Sequence, residues 1–244
     1  MSVWCVIYII PLDIEHTFDY SGPPMASSAA FAALRDALDS RYRPASTGAF
    51  ELAGGSMLES GLLHFPKGAI STLEGAASSG RSALAARVLA DATAEGGAGA
   101  LVEWRADPNG FFFPPSLETA GVSLERLVIV RANEPLDVVR AADILLRSSA
   151  FNVIVIPAVA SRAAAWSRLA NLAHRAGVVL LAVGTQACDE LRYFASLRVE
   201  CTLEGIDWIG APGPFRKLCG YDVCTQVCKH KRAIPTGRGR VRVG

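Results

Sequence analysis

The sequence lacks the features that define several classes of protein. Its 244 residues carry a formal net charge of only +1, so no overall field favours nucleic acid and any such contact must be local. The short apolar run near the start has neither the basic flank nor the small-residue cleavage site of a signal peptide. That run is also too short to cross a bilayer. We therefore expect a cytoplasmic protein without membrane contact.

The cysteines exclude a further class. All six are scattered along the chain, unlike those of a small disulfide-stabilised secreted domain. The spacing C-x4-C-x3-C-x-H, from Cys219 to His230, invites a zinc interpretation, but the surrounding residues alternate like a strand. Residues four apart on a strand are roughly 13 Å apart, so Cys224 and Cys228 cannot share one ion. We expect no metal site and cysteines that pack as small apolar residues.

The composition is that of a folded chain with a sizeable core, because 51% of the residues are hydrophobic and only 19% are charged. Residues 1–50 are expected to form an N-terminal extension with an amphipathic helix over 27–41. Within it, residues 1–24 are either a buried strand or sequence ahead of a start at Met25. Residues 51–244 are expected to form the main domain.

Short apolar runs alternate with helical patterns through most of the main domain. The runs GAISTLE, GALVEW, RLVIVRA, NVIVIP and VVLLAVG predict strands, and the segments between them predict helices. Strands that alternate with helices form a mostly parallel sheet, so the predicted fold class is α/β. The later stretches ASLRVECTLEGIDWIG and CGYDVCTQVCKHKRA predict antiparallel strands at one edge.

The segment GAASSGRS, residues 75–82, has the spacing of a phosphate-binding loop between a strand and a helix. In such loops, backbone N–H groups surround the phosphates, a lysine reaches the outer phosphates and a Ser or Thr binds Mg²⁺. Here Arg81 stands at the lysine position, and the two side chains are not interchangeable. The candidate residues are Gly75, Ser78, Ser79, Gly80, Arg81 and Ser82. Nucleotide binding and a plain glycine-rich strand-to-helix turn both remain open.

Hydrolysis requires an acid at the end of a buried strand to hold Mg²⁺. The best candidate strand, NVIVI, ends in Pro157, which cannot bind a metal. Hydrolysis also needs a group that activates water; Asp107 or Glu103, at the end of the strand after the loop helix, could be invoked, but each is equally well interpreted as a surface acid. The sequence therefore predicts no catalytic residue.

Four stretches resemble the core of the RecA recombinase family over roughly residues 55–243. They are FPKGAISTLEGAASSGRSALAARVLADA, then GVSLERLVIV with FNVIVIPAVA, then LLAVGTQ with LRYFASLRVE, and finally VCKHKRAIPTGRGRVRV. The resemblance implies a RecA-like P-loop NTPase core. It also implies losses: the family's loop lysine is Arg81, its metal-holding acid is Pro157, and its catalytic glutamate corresponds to Asn109. Both DNA-binding loops are shortened, and the family's separate C-terminal domain is expected to be missing.

Other family positions are retained. By the resemblance, Gln186 matches the glutamine that senses the outer phosphate, and Lys229 and Lys231 match the pair that reaches a neighbouring subunit's ATP. Tyr193 stands where the family has an aromatic residue at the subunit contact. The alternatives are a polar strand end for Gln186 and exposed edge-strand lysines for the pair.

Lost chemistry beside a retained interface resembles the degenerate RecA paralogues of the ImuA type. This implies a non-catalytic accessory protein of DNA repair and damage-induced (SOS) translesion synthesis, with a RecA-type recombinase or translesion polymerase components as partners. It requires no cofactor, and ATP with Mg²⁺ would bind at low affinity. One alternative is a divergent DNA-dependent ATPase or recombinase; another is a module that binds ATP without cleaving it.

Two further segments carry expectations. The basic segment 229–242 holds six Lys or Arg residues and no acid, and either makes a weak nucleic-acid contact or is a solvated end. The cluster FFFPP, residues 111–115, either fills the vacated adenine site or forms an exposed binding surface. Self-association is also consistent with the retained interface.

Overall fold

The structure is a computed structural model that describes residues 9–11, 57–58, 61–62, 65–94, 96–107, 110, 112–210, 213, 216–231 and 238–243. The helix expected over 27–41 lies outside these residues. So does Asn109, the position matched to the catalytic glutamate.

Nine of the described strands form one sheet, in the order β1-β6-β5-β7-β8-β4-β9-β10-β11. They are β1 (Ile9–Pro11), β4 (Ala69–Glu74), β5 (Gly99–Trp104), β6 (Leu127–Ala132), β7 (Val153–Pro157), β8 (Val179–Gly184), β9 (Leu197–Ile209), β10 (Lys217–His230) and β11 (Arg238–Val243). Pairing is parallel from β1 to β9 and antiparallel from β9 to β11. Strands β2 (Met57–Leu58) and β3 (Gly61–Leu62) form a separate antiparallel pair.

Five helices connect the described strands. They are α1 (Arg81–Ala94), α2 (Pro114–Thr119), α3 (Pro135–Ser148), α4 (Ala163–Ala176) and α5 (Asp189–Phe194). Pro135 opens α3, where its missing N–H would have had no partner in the helix. Gly177 ends α4 in the left-handed conformation at φ +66°, which costs a glycine little. Within the described residues, none of the helices has the length and apolar character needed to span a bilayer.

The core lies in two layers, one on each face of the sheet. Successive strand residues point to opposite faces, so Leu180 and Ala182 of β8 pack with α3, α4 and α5, whereas Val179 and Leu181 pack with α1. Both faces of the parallel strands are covered, which explains why their sequences are continuously apolar.

The predicted α/β fold class is confirmed, with a mostly parallel sheet and antiparallel edge strands. Each strand and helix predicted from the loop strand to β8 is present. Helix α5, which has six residues, was not predicted. Because parallel strands end at the same edge, the residues that follow β4, β5, β7 and β8 meet there, and this edge holds the candidate site.

Replacing Leu89 of α1 by alanine tests the layer arrangement. Leu89 is completely buried, so Leu89→Ala should lower the free energy of unfolding by about 2–5 kcal/mol in a denaturant titration. The matched control is Leu136→Ala on α3, where the leucine is 39% exposed; it should cost less than about 1 kcal/mol. Equal costs would contradict the burial of α1 against the sheet.

Candidate functional site

The segment from Gly75 to Gly80 forms a tight loop between β4 and α1. Gly80 has φ +86° and Ser78 has φ +61°, both in the left-handed region. A Cβ on Gly80 would lie 2.2 Å from Cγ2 of Val223 on β10, so the loop is pressed against that strand. Within the loop, the N–H of Ser79 donates to the carbonyl of Ala76 at 3.2 Å. Ser79 is buried, and its hydroxyl has no hydrogen-bond partner among the described residues.

The side chain of Arg81 turns back into this loop. Its Nη1 atom donates to the carbonyl oxygen of Gly75 at 2.7 Å and also to that of Ala76. Only 4% of the residue is exposed. Burial lowers the pKa of Arg81, and the nearby Asp107 and Cys201 act in the opposite direction. Since an arginine stays protonated in proteins, the loop carries a buried cation that its own carbonyls stabilise.

A cavity of about 80 Å³ lies behind Arg81. Ser82, Glu103, Asp107, Phe112 and Pro157 are among the residues that line it. A space of this size holds only a few water molecules. The strand end where a metal-holding acid is needed is occupied by Pro157, which is buried and supplies no ligand.

Glu103 is a buried acid in this cavity. It accepts hydrogen bonds from Nε of Arg131 at 3.1 Å and from the N–H of Phe112 at 2.9 Å. Burial raises the pKa of Glu103, and the bonds from Arg131 and Phe112 oppose the rise. Both oxygens are thus engaged in joining β5, β6 and the segment before α2. In the FFFPP cluster, Phe112 lines the cavity, as expected for a residue that fills the site. Phe113 is 65% exposed, as expected for a residue of a binding surface.

Glu74, the last residue of β4, lies at a junction that the sequence did not reveal. Its carboxylate accepts hydrogen bonds from Oγ1 of Thr72 (3.0 Å), the N–H of Ala187 (3.1 Å), Nη2 of Arg192 (3.2 Å) and Nε of Arg198 (3.0 Å). Burial by itself raises the pKa of Glu74, but the hydrogen bonds from Arg198, Ala187 and Thr72 and the charge of Arg198 bring the net pKa below its usual value. The carboxylate therefore joins the phosphate-binding loop to α5 and β9.

The predicted interface residues lie beyond this junction. Lys229 donates from Nζ to the carbonyls of Arg192 (2.7 Å) and Tyr193 (3.0 Å), and Lys231 donates to that of Phe194 (3.1 Å). The two lysines therefore cap the carboxyl end of α5. Burial lowers the pKa of Lys229, with smaller contributions from Lys231 and Arg198.

Tyr193 and Gln186 are open to solvent. Tyr193 is 73% exposed and packs edge-on against Phe194, with ring centroids 5.1 Å apart. Gln186 is exposed in the loop between β8 and α5. The fold thus places Gln186, Tyr193 and the two lysines around α5. This group is joined to the loop through Glu74 and through the N–H of Gly75, which donates to the carbonyl of Thr185 at 3.2 Å.

In the described part of the basic segment 229–242, the arginines of β11 form ion pairs with acidic residues. Arg238 and Arg240 of β11 pair with Glu204 at 2.6 and 2.9 Å, and Arg242 pairs with Asp207 and Asp222. Part of the charge counted for nucleic-acid contact is therefore neutralised within the sheet. Cys224 is buried on β10 and Cys228 is exposed four residues later. Among the described residues, no three of the His, Cys, Asp and Glu side chains are grouped as a metal site would require.

A second opening lies beside the loop. It is a cleft of about 530 Å³ between the loop with the first residues of α1 and the hairpin of β9 and β10. The hairpin contributes Leu203, Ile206, Trp208, Leu218 and Tyr221 to its lining. We call it the hairpin cleft.

The comparison with protein families decides the relationship. The model of the RecA N-terminal domain matches residues 30–169, more than half of the chain. The chain belongs to the RecA family. The loop, β4 to β7 and the five cavity-lining residues named above lie within the matched part.

Individual RecA proteins are similar over a shorter stretch. Protein RecA of Rhodospirillum rubrum is 36% identical over 101 residues, which are 41% of this chain and 26% of that protein. Protein RecA of Fusobacterium nucleatum is 35% identical over 96 residues, 39% of this chain and 24% of that protein. The chain thus spans about a quarter of the length of these RecA relatives.

Gly80→Ala tests how tightly the loop is pressed against β10. The new methyl group meets Val223, and the positive φ adds about 1–2 kcal/mol of backbone strain. Gly177→Ala has a similar φ with nothing within 4 Å, so it measures the strain alone. In denaturant titrations Gly80→Ala should cost at least about 1 kcal/mol more than Gly177→Ala, and Val223→Ala should recover part of the difference. Equal costs would contradict the contact.

Glu74→Gln tests the buried junction through its pH dependence. Because the folded pKa is lowered, the ionised carboxylate stabilises the fold above about pH 5, and this contribution is lost as the pH falls through the folded pKa. Glu74→Gln should therefore lower the free energy of unfolding at neutral pH, and its difference from the wild type should shrink in acid. A difference that is constant with pH would show that the charge is not the source.

Proposed function

We propose that this RecA-family chain is a non-catalytic accessory protein of DNA repair and damage-induced (SOS) translesion synthesis. It acts by contacts with a RecA-type recombinase or with translesion polymerase components. The observation that carries the proposal is the arrangement of Arg81 and Pro157 around one small cavity. The loop is kept, but its charged residue bonds to the loop itself and the strand end that should bind metal is a proline.

The buried charge explains why the loop suits a structural role. A guanidinium removed from water needs acceptors, and the carbonyls of Gly75 and Ala76 supply them at the point where the chain turns. Moving Arg81 to admit phosphates would break these bonds. Nucleotide binding would therefore have to offset the free energy lost with these bonds as well as the entropy lost when the nucleotide is ordered. Both terms lower the affinity for ATP.

The surface around α5 supports a role in protein contacts. Tyr193 is a large, rigid side chain that is almost fully available, a residue type that often anchors protein interfaces. Lys229 and Lys231 fix the helix end beside it, and Glu74 fixes the helix to the sheet. A RecA-type partner that meets this surface would face no complete ATP site opposite, so the chain would end or weaken a filament.

The alternative is a divergent DNA-dependent ATPase or recombinase. Asp107 favours it, because this carboxylate lines the same cavity as Arg81 and Ser82 and is close enough to influence the pKa of Arg81. For this alternative Arg81 would have to leave the loop carbonyls, and Asp107 would have to replace the acid that is missing at Pro157.

An ATPase assay separates the two. The purified chain, with and without single-stranded DNA, should show no turnover of Mg²⁺-ATP above the protein-free background. Arg81→Lys should also be inactive, because it restores the loop lysine and leaves Pro157 in place. RecA of Rhodospirillum rubrum, purified in the same way, is the positive control. DNA-stimulated turnover by the wild-type chain would establish the alternative.

A filament assay tests the accessory role directly. At an equimolar ratio the chain should shorten RecA filaments on single-stranded DNA, as seen by electron microscopy, and reduce their DNA-stimulated ATPase. Tyr193→Ala should need at least about tenfold more protein for the same effect, the loss expected for an anchor residue. Leu136→Ala removes an exposed apolar side chain from α3 and should behave as the wild type. Unchanged filaments would contradict the proposal.

A further inference from the structure

The hairpin cleft has the chemistry of a peptide-binding site. We propose that it binds an acidic segment of a partner protein that carries leucine or phenylalanine side chains. This inference rests on the function proposed above and names the chemistry of one partner contact. It assigns a binding role to the hairpin cleft, which is larger than the cavity behind Arg81.

The hairpin exposes an unusual amount of apolar surface. Leu203 is 38% exposed, Ile206 46%, Trp208 46% and Leu218 48%, and all four line the cleft. Single exposed apolar residues are ordinary, but a contiguous set marks a site of interaction. A volume of about 530 Å³ lies within the range of ligand sites and accommodates a few large side chains.

A pairing irregularity directs these side chains to one face. Leu203 is paired with Val223 and Gly205 with Asp222, so Glu204 is an extra residue on β9. An extra residue reverses the alternation of the strand that follows it. Leu203 before the irregularity and Ile206 and Trp208 after it therefore all line the cleft. Glu204 itself pairs with the arginines of β11.

The charges around the cleft favour an acidic occupant. None of the described residues that line it carries a carboxylate. Arg216 lies over the ring of Trp208, 5.1 Å from its centroid, and is exposed. The amino end of α1 also faces the cleft and has no acid in its first turn, so its dipole adds a further positive contribution.

A peptide satisfies both properties at once. Its leucine or phenylalanine side chains would cover Ile206, Trp208 and Leu218, and its carboxylates would meet Arg216 and the amino end of α1. Loop residues 77–83 also line the cleft, so a nucleotide is the competing occupant, but the guanidinium of Arg81 is bonded to the carbonyl of Gly75. The apolar lining would leave most of a nucleotide's polar groups without partners.

The test uses the full chain and a short fluorescein-labelled peptide of aspartate, glutamate, leucine and phenylalanine. One control peptide has lysine for every acid, and a second has serine for every leucine and phenylalanine. Fluorescence polarisation should show saturable binding of the first peptide only. Binding should weaken at higher salt, because the charges around the cleft are exposed.

Variants locate the peptide. Trp208→Ala should weaken binding at least about tenfold, as the loss of a central aromatic anchor does. Ile209→Ala removes a neighbouring residue that is 64% exposed and outside the cleft lining, and it should leave affinity within about twofold of the wild type. Arg216→Glu should weaken binding, whereas Arg175→Glu, at the far end of α4, should not. Circular dichroism confirms that each variant is folded.

Five results would overturn the inference. The first two are no binding of the acidic peptide and equal binding of the lysine peptide. The next two are a loss of affinity in Ile209→Ala equal to that in Trp208→Ala, and saturable Mg²⁺-ATP binding that Trp208→Ala abolishes. A fifth is self-association in sedimentation that Trp208→Ala removes, because a second copy would then be the occupant.

The filament assay distinguishes a failure of the cleft inference from a failure of the proposed function. If the wild type and Trp208→Ala shorten RecA filaments equally and no peptide binds, the cleft inference fails while the accessory role stands. If the peptide binds through Trp208 but filaments do not respond to the wild type, the cleft is a peptide site and the contact with RecA is wrong.

Discussion

The buried guanidinium of Arg81 is the constraint on which this site depends. A cation that is removed from water must be matched by acceptors, and the first two carbonyls of the loop provide them. This fixes the loop in a closed form and leaves a cavity of about 80 Å³ behind it. A lysine is a compact charge on a flexible stem, whereas the planar guanidinium of arginine reaches the carbonyls of Gly75 and Ala76 through Nη1. The loop is thus an internally bonded turn.

The last residue of a sheet strand connects the loop to the neighbouring helix and strand. β4 is a central strand, and its last residue, Glu74, is held by Arg192 of α5 and Arg198 of β9. The loop, the helix that displays Tyr193 and the start of the long hairpin therefore share one buried ion cluster. Breaking such a cluster by removing one partner is costly. We infer that the surface around α5 and the hairpin cleft keep fixed positions relative to the closed loop.

Much of the sheet could be predicted because buried parallel strands have continuously apolar sequences, as NVIVIP and VVLLAVG do. Residues 75–82 could be located because their glycine spacing is local. The ion cluster could not: Arg192 and Arg198 are 118 and 124 residues from Glu74, and no local pattern joins them. The direction of Arg81 was equally hidden, since an arginine at that position is compatible with either an open or a closed loop. The hairpin cleft depends on a pairing irregularity at Glu204 that the alternation of residues did not reveal.

The most direct test of the closed loop is to observe Arg81 itself. The Nε–H resonance of Arg81, assigned by comparison with Arg81→Lys, can be followed by ¹⁵N NMR while Mg²⁺-ATP is added to millimolar concentration. The closed loop predicts that this resonance keeps its position and its slow exchange with solvent, because Nε stays buried while Nη1 remains bonded to Gly75 and Ala76. A saturable shift with faster exchange would mean that Arg81 leaves the carbonyls to meet phosphate, and the account of a closed, non-catalytic loop would be wrong.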